Sequence, residues 1–177
     1  MPALRTERLV MRRWRDEDRE PFAEMNADAR VMEHFPGRMT RAESDRLVDR
    51  IVAHFDEHGY GLWAVEVPGE APFAGFVGLN VTLFEAPFTP AVEVGWRLAA
   101  DKWGHGYATE AALEAVRYGF DEVELDEIVS FTVPANVRSR RVMEKLGMTR
   151  DPAGDFDHPS LVGNPLARHV LYRLRRG

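Results

Sequence analysis

The stretch Trp103-Gly104-His105-Gly106-Tyr107-Ala108-Thr109-Glu110-Ala111 lies between a strand-like run, Val92-Glu93-Val94-Gly95-Trp96-Arg97-Leu98, and an alanine-rich helical run ending near Phe120. A loop with two glycines that opens a helix leaves several backbone N–H groups without intrahelical partners, aimed where an anion can approach. Glycine permits that approach because it carries no side chain and tolerates positive φ. A phosphate-bearing ligand is the first expectation. The common nucleotide signatures do not fit. No Lys-Ser or Lys-Thr follows Gly106, and Thr109 stands where the dinucleotide fingerprint needs a glycine or alanine.

Downstream lies Thr132-Val133-Pro134-Ala135-Asn136-Val137-Arg138-Ser139-Arg140-Arg141-Val142-Met143-Glu144-Lys145-Leu146-Gly147-Met148. Asn136 suits an N-cap, and Ser139, Val142, Met143 and Leu146 form one helical stripe. Gly147 suits the left-handed position after a helix end.

In this order the two stretches resemble the GNAT acetyltransferases. The first is similar to their acyl-CoA loop, Gln/Arg-x-x-Gly-x-Gly/Ala, with Gly106 and Ala108 at the small positions and Trp103 departing from the Gln/Arg position. The second is similar to the family's Asn-led helix closing in Leu-Gly-Phe or Leu-Gly-Met. The opening Arg5-Thr6-Glu7-Arg8-Leu9-Val10-Met11-Arg12 and the Tyr107–Ala111 run resemble the RimJ/RimL-like branch, whose namesakes acetylate N-termini of ribosomal proteins. The resemblance implies an α/β fold with a mixed, mostly antiparallel central sheet flanked by helices on both faces. It implies acetyl-CoA as co-substrate, with pantetheine along the backbone of Trp96, Arg97 and Leu98 and Asn136 beside it. The pyrophosphate would lie over Gly104, His105, Gly106, Tyr107, Ala108 and Thr109, next to Trp103. The acceptor would be a primary amine, on a protein N-terminus or a small molecule, and a homodimer is compatible with the reading.

Composition sets outer limits. The chain has 177 residues and reads as one domain, 1–177, large enough to bury a substantial core. Cysteine is absent, which excludes disulfides, thiolate metal sites and a cysteine nucleophile. The formal net charge of −6 argues against a general nucleic-acid binder. No apolar run is long enough to span a membrane or to act as a secretion signal, so a cytoplasmic location is expected. Arg138, Arg140, Arg141 and Lys145 form a local basic group, either a solvated helix face or a contact for the 3′-phosphate of CoA.

Along the chain, Arg8–Arg13 reads as a first strand and Asp16 as the cap of a helix through Ala27. Thr40 and Glu43 are spaced as a capping box for a helix to Glu57, with Leu47, Val48, Ile51, Val52 and Phe55 as its apolar stripe. Strands follow near Leu62–Val67, Phe73–Val81 and Ala91–Ala99, the last two separated by an aromatic loop. The glycine-loop helix, a strand at Ile128–Val133, the Asn136 helix and a strand at Arg168–Leu174 complete the order β-α-α-β-β-β-α-β-α-β.

For chemistry, Glu93 is the only carboxylate within the central strand and is the expected base. Many family members carry a tyrosine seven residues after the motif Asn, where this chain has Met143. Ser139 matches a serine of the RimL-like branch and is the expected donor to the departing thiolate. The acceptor site is expected between the helix near Thr40–Phe55 and the loop Phe84–Pro90, with His158 contributing, although Phe84 and Phe88 read equally well as a minor satellite core. Two rivals stand beside this reading. One is a non-catalytic acyl-CoA sensor or interaction module. The other is a zinc hydrolase, because His54-Phe55-Asp56-Glu57-His58 matches His-x-x-Glu-His.

Overall fold

The computed structural model describes residues 3–177. In chain order its elements are β1 (Leu4–Arg5), β2 (Val10–Arg12), α1 (Arg19–Ala27), α2 (Arg41–His58), β3 (Leu62–Val67), β4 (Ala71–Thr82), β5 (Ala91–Leu98), α3 (Tyr107–Asp121), β6 (Glu127–Thr132), α4 (Val137–Lys145), β7 (Thr149–Arg150), β8 (Phe156–Asp157) and β9 (Arg168–Arg175). The sheet runs β1-β2-β3-β4-β5-β6-β9-β7, with β8 on β9. Its strand pairs are antiparallel except β5 with β6, which run parallel. This is the mixed, mostly antiparallel sheet with flanking helices that the sequence implied.

Side-chain alternation along β4 and β5 explains the two layers around the sheet. Val77, Leu79 and Val94 are fully buried beside Ala111, Ala112 and Ala115 of α3, whose small side chains let the helix sit close to the strands. The opposite face carries three cross-strand pairs: Asn80 with Glu93, Gly78 with Gly95, and Phe76 with Arg97. Phe76 packs there with Phe22 and Met25 of α1 and Val48 of α2. The charged and polar residues of that face are therefore roofed by α1 and α2.

Local punctuation accounts for the helix ends. The Thr40 hydroxyl accepts from the Glu43 N–H, the Glu43 carboxylate accepts from the Thr40 N–H, and Gly59 closes α2 at φ +76°. The first helix differs from expectation. Asp16–Asp18 form a 3-10 turn and α1 begins at Arg19, so Asp16 caps nothing. The reason is long-range: Asp18 is buried in a two-pronged pair with Arg12, at 2.8 and 2.9 Å, and accepts the Arg15 N–H as well. The first strand is also shorter than expected, because Leu9 closes the turn from β1, its carbonyl accepting the Thr6 N–H at 3.0 Å.

Candidate active site

β5 and β6 pair at Glu93 and Val129 and then diverge. At the point of divergence the Ser130 hydroxyl donates to the Val94 carbonyl at 2.9 Å, a side chain standing in for a ladder bond. The Ala99 N–H bonds the Ala74 carbonyl, and in an antiparallel pair successive residues alternate their backbone direction. The backbone groups of Val94, Trp96 and Leu98 consequently face β6. The Val94 carbonyl takes Ser130 and the Leu98 carbonyl takes the Trp103 indole N–H at 3.0 Å. The Trp96 N–H and C=O face the open wedge, where an extended amide-bearing arm can pair with them as an added strand does.

The wedge opens into a cavity of about 680 Å³, within the range of small-molecule sites. Glu93, Trp96, Arg97, Leu98, Trp103, Ala108, Asn136 and Ser139 all line it. Gly104, His105, Gly106, Tyr107 and Thr109 do not, and sit at its margin. Their contribution is backbone. Gly104 and Gly106 adopt φ +81° and +82°, and α3 starts at Tyr107 with no side chain capping it, whereas Thr40 caps α2 and Asn136 caps α4. The Gly106 carbonyl accepts the first helical bond from Glu110, which leaves the N–H groups of Tyr107, Ala108 and Thr109 without helical partners. The Tyr107 side chain turns away from the cavity, its hydroxyl donating to Glu70 at 3.3 Å.

An arginine that the sequence did not single out holds this loop. Arg8 donates from Nη1 to the His105 carbonyl at 2.9 Å and from Nε to Glu110 at 2.7 Å, while the Thr6 hydroxyl donates to the same carboxylate at 2.6 Å. Trp103 is fixed to β5 through Leu98. The Arg138 guanidinium lies over its ring at 3.9 Å. Of the basic group on α4, Arg138 reaches the cavity, and Arg140 is committed to the Pro134 carbonyl and the Tyr172 hydroxyl.

On the α1/α2 face, Glu93 borders the cavity but is enclosed by protein, with Gly95 beside it. A β-carbon at Gly95 would stand 3.5 Å from the Glu93 carboxylate, so the glycine leaves that group its room. Burial pushes the Glu93 pKa up to about 8. The solvent that reaches the carboxylate from the cavity is confined, and enclosure decides the direction of the shift. Opposite, the Trp96 indole N–H donates to the Ser139 hydroxyl oxygen at 3.3 Å, and Asn136 caps α4 through the Ser139 N–H while donating to Thr132.

One expectation fails in part, and one rival reading fails. The loop Phe84–Pro90 does not line the cavity. Phe84 and Phe88 pack with Phe131 and Phe156 in a separate aromatic core, and His158 reaches the cavity from the edge of that core. The helix half of the expectation holds, because Leu47, Arg50, Ile51 and His54 of α2 face the cavity. The zinc pattern fails as well, because both ring nitrogens of His54 are used. Nδ1 lies 3.0 Å from the Tyr60 carbonyl and Nε2 accepts the Val81 N–H at 3.0 Å, which fixes a neutral ring. Burial lowers the His54 pKa further. Among the described residues no cluster of three or more metal-ligating side chains occurs, and no helix is long and apolar enough to cross a membrane.

The acetyltransferase (GNAT) domain model matches residues 8–149 of the chain. The chain belongs to the GNAT acetyltransferases. This transferase is 30% identical over 146 residues to the Bacillus subtilis protein YkkB, covering 82% of this chain and 84% of that one. It is 34% identical over 155 residues to the FsC-acetyl coenzyme A-N(2)-transacetylase of Aspergillus fumigatus, covering 84% of this chain and 65% of that protein. A solved GNAT acetyltransferase from Bacillus anthracis superposes with a TM-score of 0.81 at 28% identity, over 98% of both chains. The GNAT transferase is thus an acetyl-CoA-dependent acyltransferase, which sets aside the non-catalytic sensor. The open edge at Trp96 and the uncapped α3 suit its co-substrate.

Proposed function

We propose that the protein moves the acetyl group of acetyl-CoA directly to a primary amine, on a peptide N-terminus or a small molecule, with Glu93 as proton acceptor. The observation that carries this is the enclosed Glu93 carboxylate bordering the cavity where β5 and β6 part, with a pKa near 8. An amine arrives as ammonium and must lose a proton before its nitrogen lone pair can attack the thioester carbon. A base of raised pKa is matched to that task. Glu93 takes the proton, directly or through one water, and passes it to solvent. As the C–S bond breaks, the Ser139 hydroxyl donates a hydrogen bond to the departing sulfur. Its oxygen already accepts from Trp96, and chained hydrogen bonds polarise one another. The absence of cysteine agrees with transfer in one step.

The cofactor arrangement is part of the proposal. Trp96, Arg97 and Leu98 run beside the pantetheine with Asn136 opposite, and the backbone of Gly104–Thr109 receives the pyrophosphate. Membership of the RimJ/RimL-like branch is supported by the bonds from Thr6 and Arg8 to Glu110, which join the two stretches on which that resemblance rests. Mass-spectrometric screening of peptides and metabolite amines with acetyl-CoA tests the reading. N-acetylated product is expected, and exclusive O-acetylation of alcohols would refute it.

A further inference from the structure

Arg12 and Arg97 both point inward, and the chain treats them differently. Arg12, 6% exposed, is bonded to the carboxylates of Asp18 and Glu66. Arg97 receives no carboxylate among the described residues. Its guanidinium lies over Phe35 at 4.4 Å and near Phe76 at 5.5 Å, and Nη1 donates to the Asn26 amide oxygen at 2.8 Å. Asn26 is fully buried and donates its own N–H to Ser44, which fixes the oxygen toward Arg97. The Arg97 Nε is buried without a partner. Burial with no compensating acid pushes the Arg97 pKa down to about 10. An enclosed charge lacking a counterion is costly, and that cost is recovered when an anion of matching geometry arrives.

Arg97 borders the same cavity as Glu93, on the same face of β5. The other charges near this end carry less weight. Arg30 is bonded to Asp28, and Arg50 and Glu33 are exposed to solvent, which screens them. At about 3.3 Å per residue along a strand, Arg97 stands about 7 Å beyond Gly95 and about 13 Å beyond Glu93.

We infer that the acceptor is an amine bearing a carboxylate, with Glu93 facing the nitrogen and Arg97 receiving the carboxylate at the α1/α2 end of the cavity. One uncompensated positive charge matches one negative charge. With Nη1 given to Asn26 and Nε enclosed, the guanidinium still has Nη2 to offer an anion in the cavity. A polyamine would instead set a second cation against Arg97 and be rejected. This specificity assignment rests on the amine-transfer reading.

The test compares ε-aminocaproate with n-pentylamine, the same amine without the carboxylate. Wild type should favour ε-aminocaproate by about tenfold or more in kcat/KM, a difference of about 1.4 kcal/mol. Arg97→Met and Asn26→Asp should each bring the ratio close to one, the second by supplying an internal counterion. Arg97→Lys should retain part of the preference. Thermal shift in the presence of CoA reads the same recognition without turnover: ε-aminocaproate should stabilise wild type more than n-pentylamine, and lose that advantage in Asn26→Asp. A wild-type ratio at or below one, or a preference that survives both Arg97→Met and Asn26→Asp, overturns the assignment. Failure of amine transfer itself looks different, with neither probe acetylated while the differential stabilisation remains.

Discussion

Ser130 on β6 donates its hydroxyl to the Val94 carbonyl on β5 at 2.9 Å, beside the single register point where these parallel strands meet. Beyond that bond the strands part and the cavity begins. The hydroxyl closes the ladder at the apex of the wedge, so the carbonyl is satisfied without drawing the strands together further along.

Ser130→Ala leaves the Val94 carbonyl buried without this donor. A loss of about 1–3 kcal/mol is expected for such a group. For a chain of this size that lowers the melting temperature by roughly 2–4 °C per kcal/mol. Thermal unfolding monitored by circular dichroism checks it, and an unchanged midpoint would show that the bond carries no net stability.

Gly106→Val should remove acetyl-CoA binding through the backbone. A β-carbon there meets only the Arg8 guanidinium among protein atoms, at 3.5 Å, so the protein itself leaves room for it. The obstacle is φ +82°, a conformation a β-branched residue avoids. Relaxing it turns the α3 N–H groups away from their present direction. Wild type with CoA at about a hundred times its Kd should gain about 2.7 kcal/mol, and the variant nothing measurable. Calorimetry that finds equal affinity in both proteins would contradict the loop assignment.

These two sites show what the sequence makes legible. Gly106, Asn136, and the Thr40 and Glu43 pair act within a few residues of themselves, so their spacing announces turns, caps and the glycine loop. The contacts that complete the site do not act locally. Arg8 reaches Glu110 across 102 positions and Arg97 reaches Asn26 across 71. Nothing in the spacing of His54 and His58 reveals that backbone groups of Tyr60 and Val81 already occupy both nitrogens of His54. The sequence leaves Phe84 and Phe88 open between an acceptor-site loop and a small separate core, and only the long-range approach of Phe131 and Phe156 decides for the core.

Glu93→Gln should stabilise the folded protein while impairing it. Burial raises the folded pKa to about 8, whereas the unfolded side chain titrates near its usual 4.5. Between those values the folded state holds a proton that the unfolded state has released, so stability attributable to Glu93 falls as pH rises from about 4.5 to about 8. A neutral glutamine does not titrate. Denaturant melts across this window should show the variant gaining on wild type as pH rises. A constant difference between the two proteins would mean that Glu93 is not held in its neutral form by the fold.

The most direct test of the account is the pH dependence of kcat/KM for acetyl transfer to an amine, in wild type and Glu93→Gln. Glu93 must be ionised to accept a proton, so the wild-type value should climb with pH and level near 8. The variant should lack that inflection and run slower near neutral pH by about 10²–10⁴-fold. It should recover only at high pH, where the amine is already neutral. A variant with the wild-type rate and the same inflection near 8 would remove Glu93 from the chemistry.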